Sequence, residues 1–529
     1  MRGRHGPTES LPGRLRRRQY AGARNLETQS GHNKHIMNVA AWIESINWAA
    51  VVLWIEFVVK VAAVGIVPER RQPSSSQAWL LLILVLPIVG VPLYFMLGSP
   101  FVRGRRHAIQ ERATESFSQA TADWPTLPEG VTVGKRFGQI LTMNRTLTNL
   151  PPSTGRCLGV YREYSASLAA MTEAIERSTS YVHVEFYAQS WDSETEEFYV
   201  ALIAAAERGV TVRVLADHLG SAKYHGFRPI KRRLKAAGVE FYKMLPINPF
   251  RGRFRRPDLR NHRKFLIVDG REAFVGSQNL ISRYYGSKRN QKVGREWVDL
   301  MMHVSGEVVD ALDAVFATDW LAESGEIISH VLDRLREYEV EKVGGEVNAF
   351  QVVPSGPGYP AEPSLRMFVQ MINGATESIR LVSPYFVPTE AFIEALKSAV
   401  LRGVRVELLV PEKADQFAVH HAQQSYFREL LEAGVILYRF PRPKVLHSKM
   451  MVVDAKHAYF GSSNMDIRSF ILNFEVSVLV FGGNAVAELD SVIDHYEDIS
   501  TELTYERWMK RPLIGRYFDN VFRLTSALQ

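Results

Sequence analysis

Cysteine is almost absent from this chain of 529 residues: Cys157 stands alone, which excludes an internal disulfide framework and any zinc cluster built on thiolates. It reads as a small buried hydrophobe. A large charge excess is missing too. The formal charge is +8, yet residues 1–36 alone hold eight Lys/Arg (Arg2, Arg4, Arg14, Arg16, Arg17, Arg18, Arg24 and Lys34) against Glu9 and Glu27. The remainder is therefore close to neutral, which argues against a nucleic-acid partner. That first stretch also lacks an apolar period and is expected to be a disordered basic tail. No apolar core follows its paired arginines closely enough for an export signal, and Met37 is an alternative start.

Two runs nearly lack charge, and with them residues 37–110 read as a transmembrane hairpin. The first, 48–67 (WAAVVLWIEFVVKVAAVGIV), carries only Glu56 and Lys60, four residues apart and able to pair. An amphipathic helix lying in the interface is the other reading of this run. The second, 78–97 (AWLLLILVLPIVGVPLYFML), carries no charge, and its Pro87, Gly90 and Pro92 are of the kind membrane helices tolerate. Each run matches the roughly 30 Å of a bilayer core. The basic tail and Arg103, Arg105, Arg106 and Arg112 outnumber Arg70 and Arg71 of the intervening turn. Lys/Arg bias then places both ends, and the large remainder of the chain, on the cytoplasmic side of a membrane crossed more than once.

Beyond residue 130 strands alternate with helices, and the order occurs twice, indicating an α/β fold of two related lobes at 130–340 and 345–529. SYVHVEFYA, a helix ending AAERG, VTVRVLAD and AAGVEFYKM find counterparts in ESIRLVSPYF, a helix ending VLRG, VRVELLV and EAGVILYRF. Both series lead to a matching segment: HRKFLIVDGREAFVGSQNL from His262 and HSKMMVVDAKHAYFGSSNM from His447, identical at eight of nineteen positions.

One H-x-K means little; two copies of H-x-K-x4-D, each with G-S-x-N beginning fourteen residues after the His, are specific. On a strand, residues i and i+2 share a face, so His262 projects with Lys264 and His447 with Lys449. Lobes packed about a pseudo-twofold would bring both pairs to one pocket, with Ser277, Asn279, Ser462 and Asn464 adding hydroxyls and amides. Such a set of donors and positive charge suits a phosphodiester. A metal site is the competing reading of paired histidines, but the adjacent lysines would repel a cation and no carboxylate cluster is evident; no cofactor is expected.

These segments resemble the paired HKD motifs of the phospholipase D superfamily, and in detail its membrane-anchored bacterial cardiolipin synthases. LRNHRKFLIVDG, SPYFVP (383–388), LHSKMMVVD, NFE (473–475) and PSSSQAWLLL carry the likeness, which spans about residues 40–529. The resemblance implies two phospholipase D-like lobes about a pseudo-twofold, each a mixed sheet flanked by helices. It implies a catalytic set of His262, Lys264, Asp269, His447, Lys449 and Asp454, acting through a phosphohistidine with His262 as nucleophile and His447 as acid/base. The two aspartates, read from their position, are anchors of the loop after the strand. Ser277, Asn279, Ser462 and Asn464 are expected on the phosphate oxygens. Glu475 fits the place of a His-orienting carboxylate, and aligning REWVDLMM with LNFEVSVL offers Asp299 as its counterpart.

The implied reaction moves a phosphatidyl group from one phosphatidylglycerol to another. Hydrolysis, exchange with a different acceptor and, more remotely, a nuclease would share the same residues. Two surface features complete the reading. Arg251, Arg253, Arg255, Arg256 and Arg260 are either a solvated loop or a guide for anionic headgroups. Leu513, Ile514, Tyr517, Phe518, Val521, Phe522 and Leu524 form the apolar stripe of a C-terminal amphipathic helix, docked on its own protein or lying on membrane lipid.

Overall fold

The computed structural model describes residues 47–69, 73–98, 105–247, 256–336 and 347–524. The basic tail, the turn arginines and Arg251, Arg253 and Arg255 lie outside them. The chain divides into two units, residues 1–100 and 101–529.

In the first unit, Trp48–Ile66 is one apolar helix of 19 residues, the one described helix long and apolar enough to cross a membrane. At about 1.5 Å per residue it is close to the thickness of a hydrocarbon core. Its two charges meet, Lys60 Nζ lying 2.5 Å from Glu56.

The second apolar run, 78–97, is not one continuous helix. It is helical over Pro73–Val85, breaks at Leu86 (φ −131°, ψ 68°), resumes over Pro87–Leu93 and ends in a wide π-type turn, Tyr94–Gly98. Pro87 has no N–H to continue the helix and keeps the residue before it out of the helical region. The chain then folds back: a Cβ on Gly90 would stand 2.8 Å from Ile83 Cα. Ile83 and Tyr94 pack with Ala63 and Val67 of the first helix.

In the second unit, strands β1 (Ser153–Tyr161), β2 (Tyr181–Phe186), β3 (Thr211–Asp217), β4 (Glu240–Met244), β5 (Arg260–Asn261), β6 (Lys264–Val268), β7 (Glu272–Gly276), β8 (Trp297–Val298) and β9 (Met301–Ser305) build the first lobe. The second has β10 (Asn348–Ser355), β11 (Ser378–Val382), β12 (Phe386–Val387), β13 (Arg405–Pro411), β14 (Ile436–Phe440), β15 (Val445–Leu446), β16 (Met450–Val453), β17 (His457–Gly461), β18 (Met465–Asp466), β19 (Asn473–Phe481) and β20 (Thr501–Glu502).

The lobes do not keep separate sheets. One sheet runs β20-β14-β13-β11-β16-β17-β19-β10-β1-β9-β7-β6-β2-β3-β4. Apart from the edge strand β20, the order reads equivalently from either end, and its centre is the antiparallel pair β1–β10, joined at Ser153–Phe350, Thr154–Ala349 and Gly155–Asn348. The pseudo-twofold expected from the repeat thus passes through the middle of a continuous sheet.

Helices cover both faces. On one, Val308–Ser324 and Ala485–Asp498 press Phe316, Trp320, Leu489 and Tyr496 into a core shared by both lobes. On the other, each lobe has its own core: Leu168, Phe198 and Leu202 in the first, Phe368, Phe392 and Tyr426 in the second. The motif strands β6 and β16 are buried throughout, as expected of apolar runs covered on both faces.

Candidate active site

Each motif histidine is delivered by a short strand lying on the opposite lobe. β5 pairs in parallel with the start of β19, at Arg260–Asn473 and Asn261–Phe474, and the His262 N–H then donates to Phe474 O at 2.8 Å. By the same geometry β15 pairs with β8, at Val445–Trp297 and Leu446–Val298, and the His447 N–H donates to Val298 O at 2.8 Å. The next residue along each receiving segment is a carboxylate, Glu475 within β19 and Asp299 just past β8. His262 Nδ1 is 3.0 Å from both oxygens of Glu475, and His447 Nδ1 is 2.6 Å from Asp299 Oδ1. Glu475 and Asp299 therefore occupy equivalent places, and each serves the other lobe's histidine.

The serines differ from expectation. Ser462 Oγ donates to Glu475 Oε2 at 2.6 Å and accepts from Val476 N–H, while Ser277 Oγ donates to Asp299 Oδ1 at 2.6 Å and accepts from Leu300 N–H. Both hydroxyls are thus engaged behind the carboxylates instead of standing free for phosphate oxygens. The glycine before each serine has a steric reason. A Cβ on Gly276 would fall 2.1 Å from Leu300 O, and one on Gly461 2.4 Å from Val476 O. Only glycine lets the two strands close enough for the serine to reach its carboxylate.

The asparagines are not equivalent. Asn279 donates to the Tyr285 hydroxyl at 2.8 Å and accepts from Ala188 N–H at 3.2 Å, whereas the buried Asn464 Oδ1 has no hydrogen-bond partner among the described residues.

Lys264 and Lys449 are buried, and each donates to the carbonyl of the histidine two residues before it, Lys264 to His262 O at 2.5 Å and Lys449 to His447 O. Burial, opposed by nearby carboxylates, brings Lys264 down to about 7 and Lys449 to about 8. Burial likewise lowers His262 to about 4 and lowers His447, with the carboxylate partner pulling the other way in each case. Lys449 acts on His262 and Lys264 on His447, so the two half-sites are electrostatically one. Burial raises Glu475 and Asp299, yet His262 and His447 respectively, with the lysines and serines, outweigh it and hold both below the usual carboxylate range.

Asp269 and Asp454 are not brought to this cluster. Each sits at φ 53° in the turn after its strand, about 16 Å along β6 in the first lobe. Asp269 accepts from the N–H groups of Thr179, Ser180 and Tyr181, and Asp454 from those of Thr376, Glu377 and Ser378. They stand apart from the catalytic set the resemblance implies and fasten this turn to the start of β2 or β11, as their position after the strand suggested. Of the expected headgroup arginines, Arg256 pairs with Asp258 at 2.5 Å and the buried Arg260 with Asp217 at 3.2 Å, so neither side chain is an uncommitted cation.

Two contributions escaped the sequence reading. Tyr187 and Tyr385, which follow the equivalent strands β2 and β11, set their rings 5.0 Å from His262 and 6.2 Å from His447; the FYA and PYF of the repeat were the available signal. The residue between His and Lys also breaks the symmetry. Arg263 is fully buried, bonded to Asp319 and, through Nε at 3.0 Å, to Glu475 O. Asp319 also takes Arg106, whose guanidinium lies 4.4 Å from the Phe474 ring centroid. Ser448, in the corresponding place, bonds the Tyr496 hydroxyl at 3.0 Å.

The arrangement offers two imidazoles with Nδ1 fixed and Nε2 uncommitted to those bonds, two cations, and no carboxylate left unpaired at the histidines. Such a site can attack a phosphodiester on one side and move a proton on the other. Among the described residues no group of three His, Cys, Asp or Glu is disposed to hold a metal ion.

The family model described as cardiolipin synthase, PLD-like domain, matches residues 171–320 and 368–496, once for each lobe. A phospholipase D-nuclease N-terminal model matches 48–99. Cardiolipin synthase A of Proteus mirabilis (strain HI4320) is 33% identical over 469 residues, 87% of this chain and 94% of that one. Cardiolipin synthase A of Yersinia pseudotuberculosis serotype IB (strain PB1/+) is 32% identical over 477 residues, 88% of this chain and 94% of its own. Among solved structures, phosphatidylserine synthase of Haemophilus influenzae Rd KW20 shares the fold with a TM-score of 0.53 at 15% identity, covering 74% of this chain and all of that one. With two family-model matches laid over the two lobes and relatives aligned along most of its length, the chain belongs to the cardiolipin synthases of the phospholipase D superfamily.

Proposed function

We propose that the protein joins two phosphatidylglycerol molecules into cardiolipin and releases glycerol, by way of a phosphohistidine on His262. His262 Nε2 attacks phosphorus as the bond to the glycerol oxygen breaks, and His447 gives that oxygen a proton. The second phosphatidylglycerol then presents a hydroxyl, His447 takes its proton, and the new oxygen displaces His262. Lys264 and Lys449 carry the charge that collects on the non-bridging oxygens, with Asn279 and Asn464 as amide donors beside them.

The observation that carries this reading is the crossed pairing of His262 with Glu475 and His447 with Asp299. Each carboxylate fixes Nδ1–H as donor, which leaves Nε2 for chemistry. Burial favours a neutral imidazole at His262, the form a nucleophile needs. The phosphodiester brings its own negative charge, which favours the imidazolium at His447 once substrate is bound. The basic residues that follow the apolar segment, Arg103, Arg105, Arg106 and Arg112, support lobes on the cytoplasmic face of the inner membrane.

The test is product analysis with purified protein on phosphatidylglycerol vesicles, wild type against His262→Ala. Cardiolipin and glycerol should form with wild type alone, and a labelled phosphoenzyme should map to His262. Phosphatidic acid as the main product would replace this reading by hydrolysis, and label on His447 would reverse the two roles.

A further inference from the structure

The C-terminal helix, Leu513–Arg523, is attached to the second lobe with its polarity turned over. Its one buried residue is Asp519, whose carboxylate meets His421 Nδ1 at 2.7 Å and Arg511 at 2.8 Å. Arg523 reaches Glu429 at 3.1 Å, and Phe522 packs against the second lobe's core. Four residues of the apolar stripe point away from the protein: Leu513 is 78% exposed, Ile514 64%, Tyr517 63% and Leu524 82%, while Phe518 and Val521 are less exposed. Phe417, on the helix beneath, is 64% exposed with its ring 5.5 Å from Phe522, and it extends the same patch.

Hiding apolar surface is the usual reason for docking an amphipathic helix, and this contact does the reverse. It takes a charged pair out of water, which has a desolvation cost, and leaves the apolar side chains in it. Such a helix is built to meet something apolar. Its rim identifies the partner. Residues 505–524 carry Arg507, Lys510, Arg511, Arg516 and Arg523 against Glu506 and Asp519; with Arg511 held by Asp519 and Arg523 by Glu429, Arg507, Lys510 and Arg516 are the cations with no carboxylate partner among the described residues. Leu and aromatic side chains bordered by Lys and Arg match the interface of an anionic bilayer, where apolar groups enter the acyl boundary and cations meet the headgroups.

We infer that the C-terminal helix lies in the headgroup region of an anionic membrane and seats the second lobe on the surface that supplies its substrate. This rests on the reading that the substrate is an anionic phospholipid drawn from a bilayer. A fixed seat would hold the lobe against that surface, a task distinct from the attachment given by Trp48–Ile66.

Nitroxide labels at Tyr517→Cys and Asn520→Cys, in the full chain reconstituted into phosphatidylglycerol/phosphatidylcholine vesicles, test it directly. The Tyr517 label should be shielded from a water-soluble nickel quencher and open to oxygen, and the Asn520 label should be open to nickel. Equal nickel access at both overturns the inference. Dipolar coupling between Tyr517 labels of two molecules would assign the patch to a second copy and overturn it too. Function is read with the double variant Ile514→Glu/Tyr517→Glu, both positions being exposed. Turnover of vesicle phosphatidylglycerol should fall roughly tenfold, with turnover of a short-chain, monomeric phosphatidylglycerol unchanged. Unchanged vesicle turnover counts against the inference alone. A wild type that makes no cardiolipin from either substrate counts against the reaction.

Discussion

Glu475 of the second lobe holds His262 of the first, with His262 Nδ1 3.0 Å from each carboxylate oxygen. The pairing of Asp299 with His447 is its copy in the opposite direction. Removing either carboxylate by an isosteric change, Glu475→Gln or Asp299→Asn, should lower kcat by about 10²–10⁴-fold. The two variants should differ on a phosphodiester with a leaving group that needs no proton. Asp299→Asn should still give a burst of product from forming the phosphoenzyme, and Glu475→Gln should not. A burst from Glu475→Gln alone would exchange the roles of the histidines.

Ser277 and Ser462 brace carboxylates, and kinetics can tell that from phosphate binding. Ser462→Ala leaves a Glu475 oxygen and the Val476 N–H short of a partner, and the loss should appear as a drop in kcat of roughly ten- to a hundredfold. KM for phosphatidylglycerol should stay put. A rise in KM at constant kcat would put the hydroxyl on the phosphate.

The pH profile should carry the mark of the buried lysines. Lys264 is brought to about 7 and Lys449 to about 8, so the charge available to the phosphate declines as pH rises through that range. In kcat/KM the alkaline limb should therefore fall well below the ordinary lysine range near 10.4, with apparent values that belong to the cluster as a whole. Measured on a monomeric substrate, a limb at about 10 would contradict it. The acid limb should lie below the ordinary histidine value, since burial lowers His262, the imidazole that must be neutral to attack.

Asp269→Asn and Asp454→Asn should act on stability more than on chemistry. Each carboxylate takes several backbone N–H groups at a half-exposed turn, and its loss should cost about 1–2 kcal/mol, seen as a lower Tm, while kcat of the folded protein changes little. The sign with pH follows from the direction of the shift. Both groups are held below the ordinary aspartate value, so their stabilisation is present above about pH 4 and is lost as pH falls through the folded-state value. A Tm difference between wild type and variant that persists unchanged at pH 2 would refute this.

Much of this architecture was legible in the chain because duplication exposes it. Two copies of one pattern identified the strands, the pseudo-twofold, the histidines and the lysines, while Glu475 came from the family resemblance and Asp299 from aligning the first lobe to it. What the pattern could not carry was which copy serves which. Crossing between lobes depends on where β5 and β15 lie in space, and no spacing along the chain encodes that. The serines misled because a hydroxyl beside a phosphate and a hydroxyl beside a carboxylate look alike in sequence. Arg263 was hidden for the opposite reason: it has no counterpart, and its partner Asp319 lies on a helix 56 residues away. Hydropathy gave the apolar character of 78–97 but not its course, since Pro87 decides the path through one missing donor. At the C-terminus hydropathy marked an apolar stripe, and the side the helix Leu513–Arg523 turns to the protein is the one carrying the buried Asp519, which hydropathy scores as surface.

The exchange of strands makes each half incomplete without the other. A lone half would own a histidine with no carboxylate and a carboxylate with no histidine, and its central strand would end in an open edge. All three defects are mended by a second identical half turned about a twofold. The doubled chain thus carries in one polypeptide the two halves that each histidine–carboxylate pair needs. The two halves are not identical in their surroundings, as Arg263 on Asp319 and Ser448 on Tyr496 in corresponding places make plain.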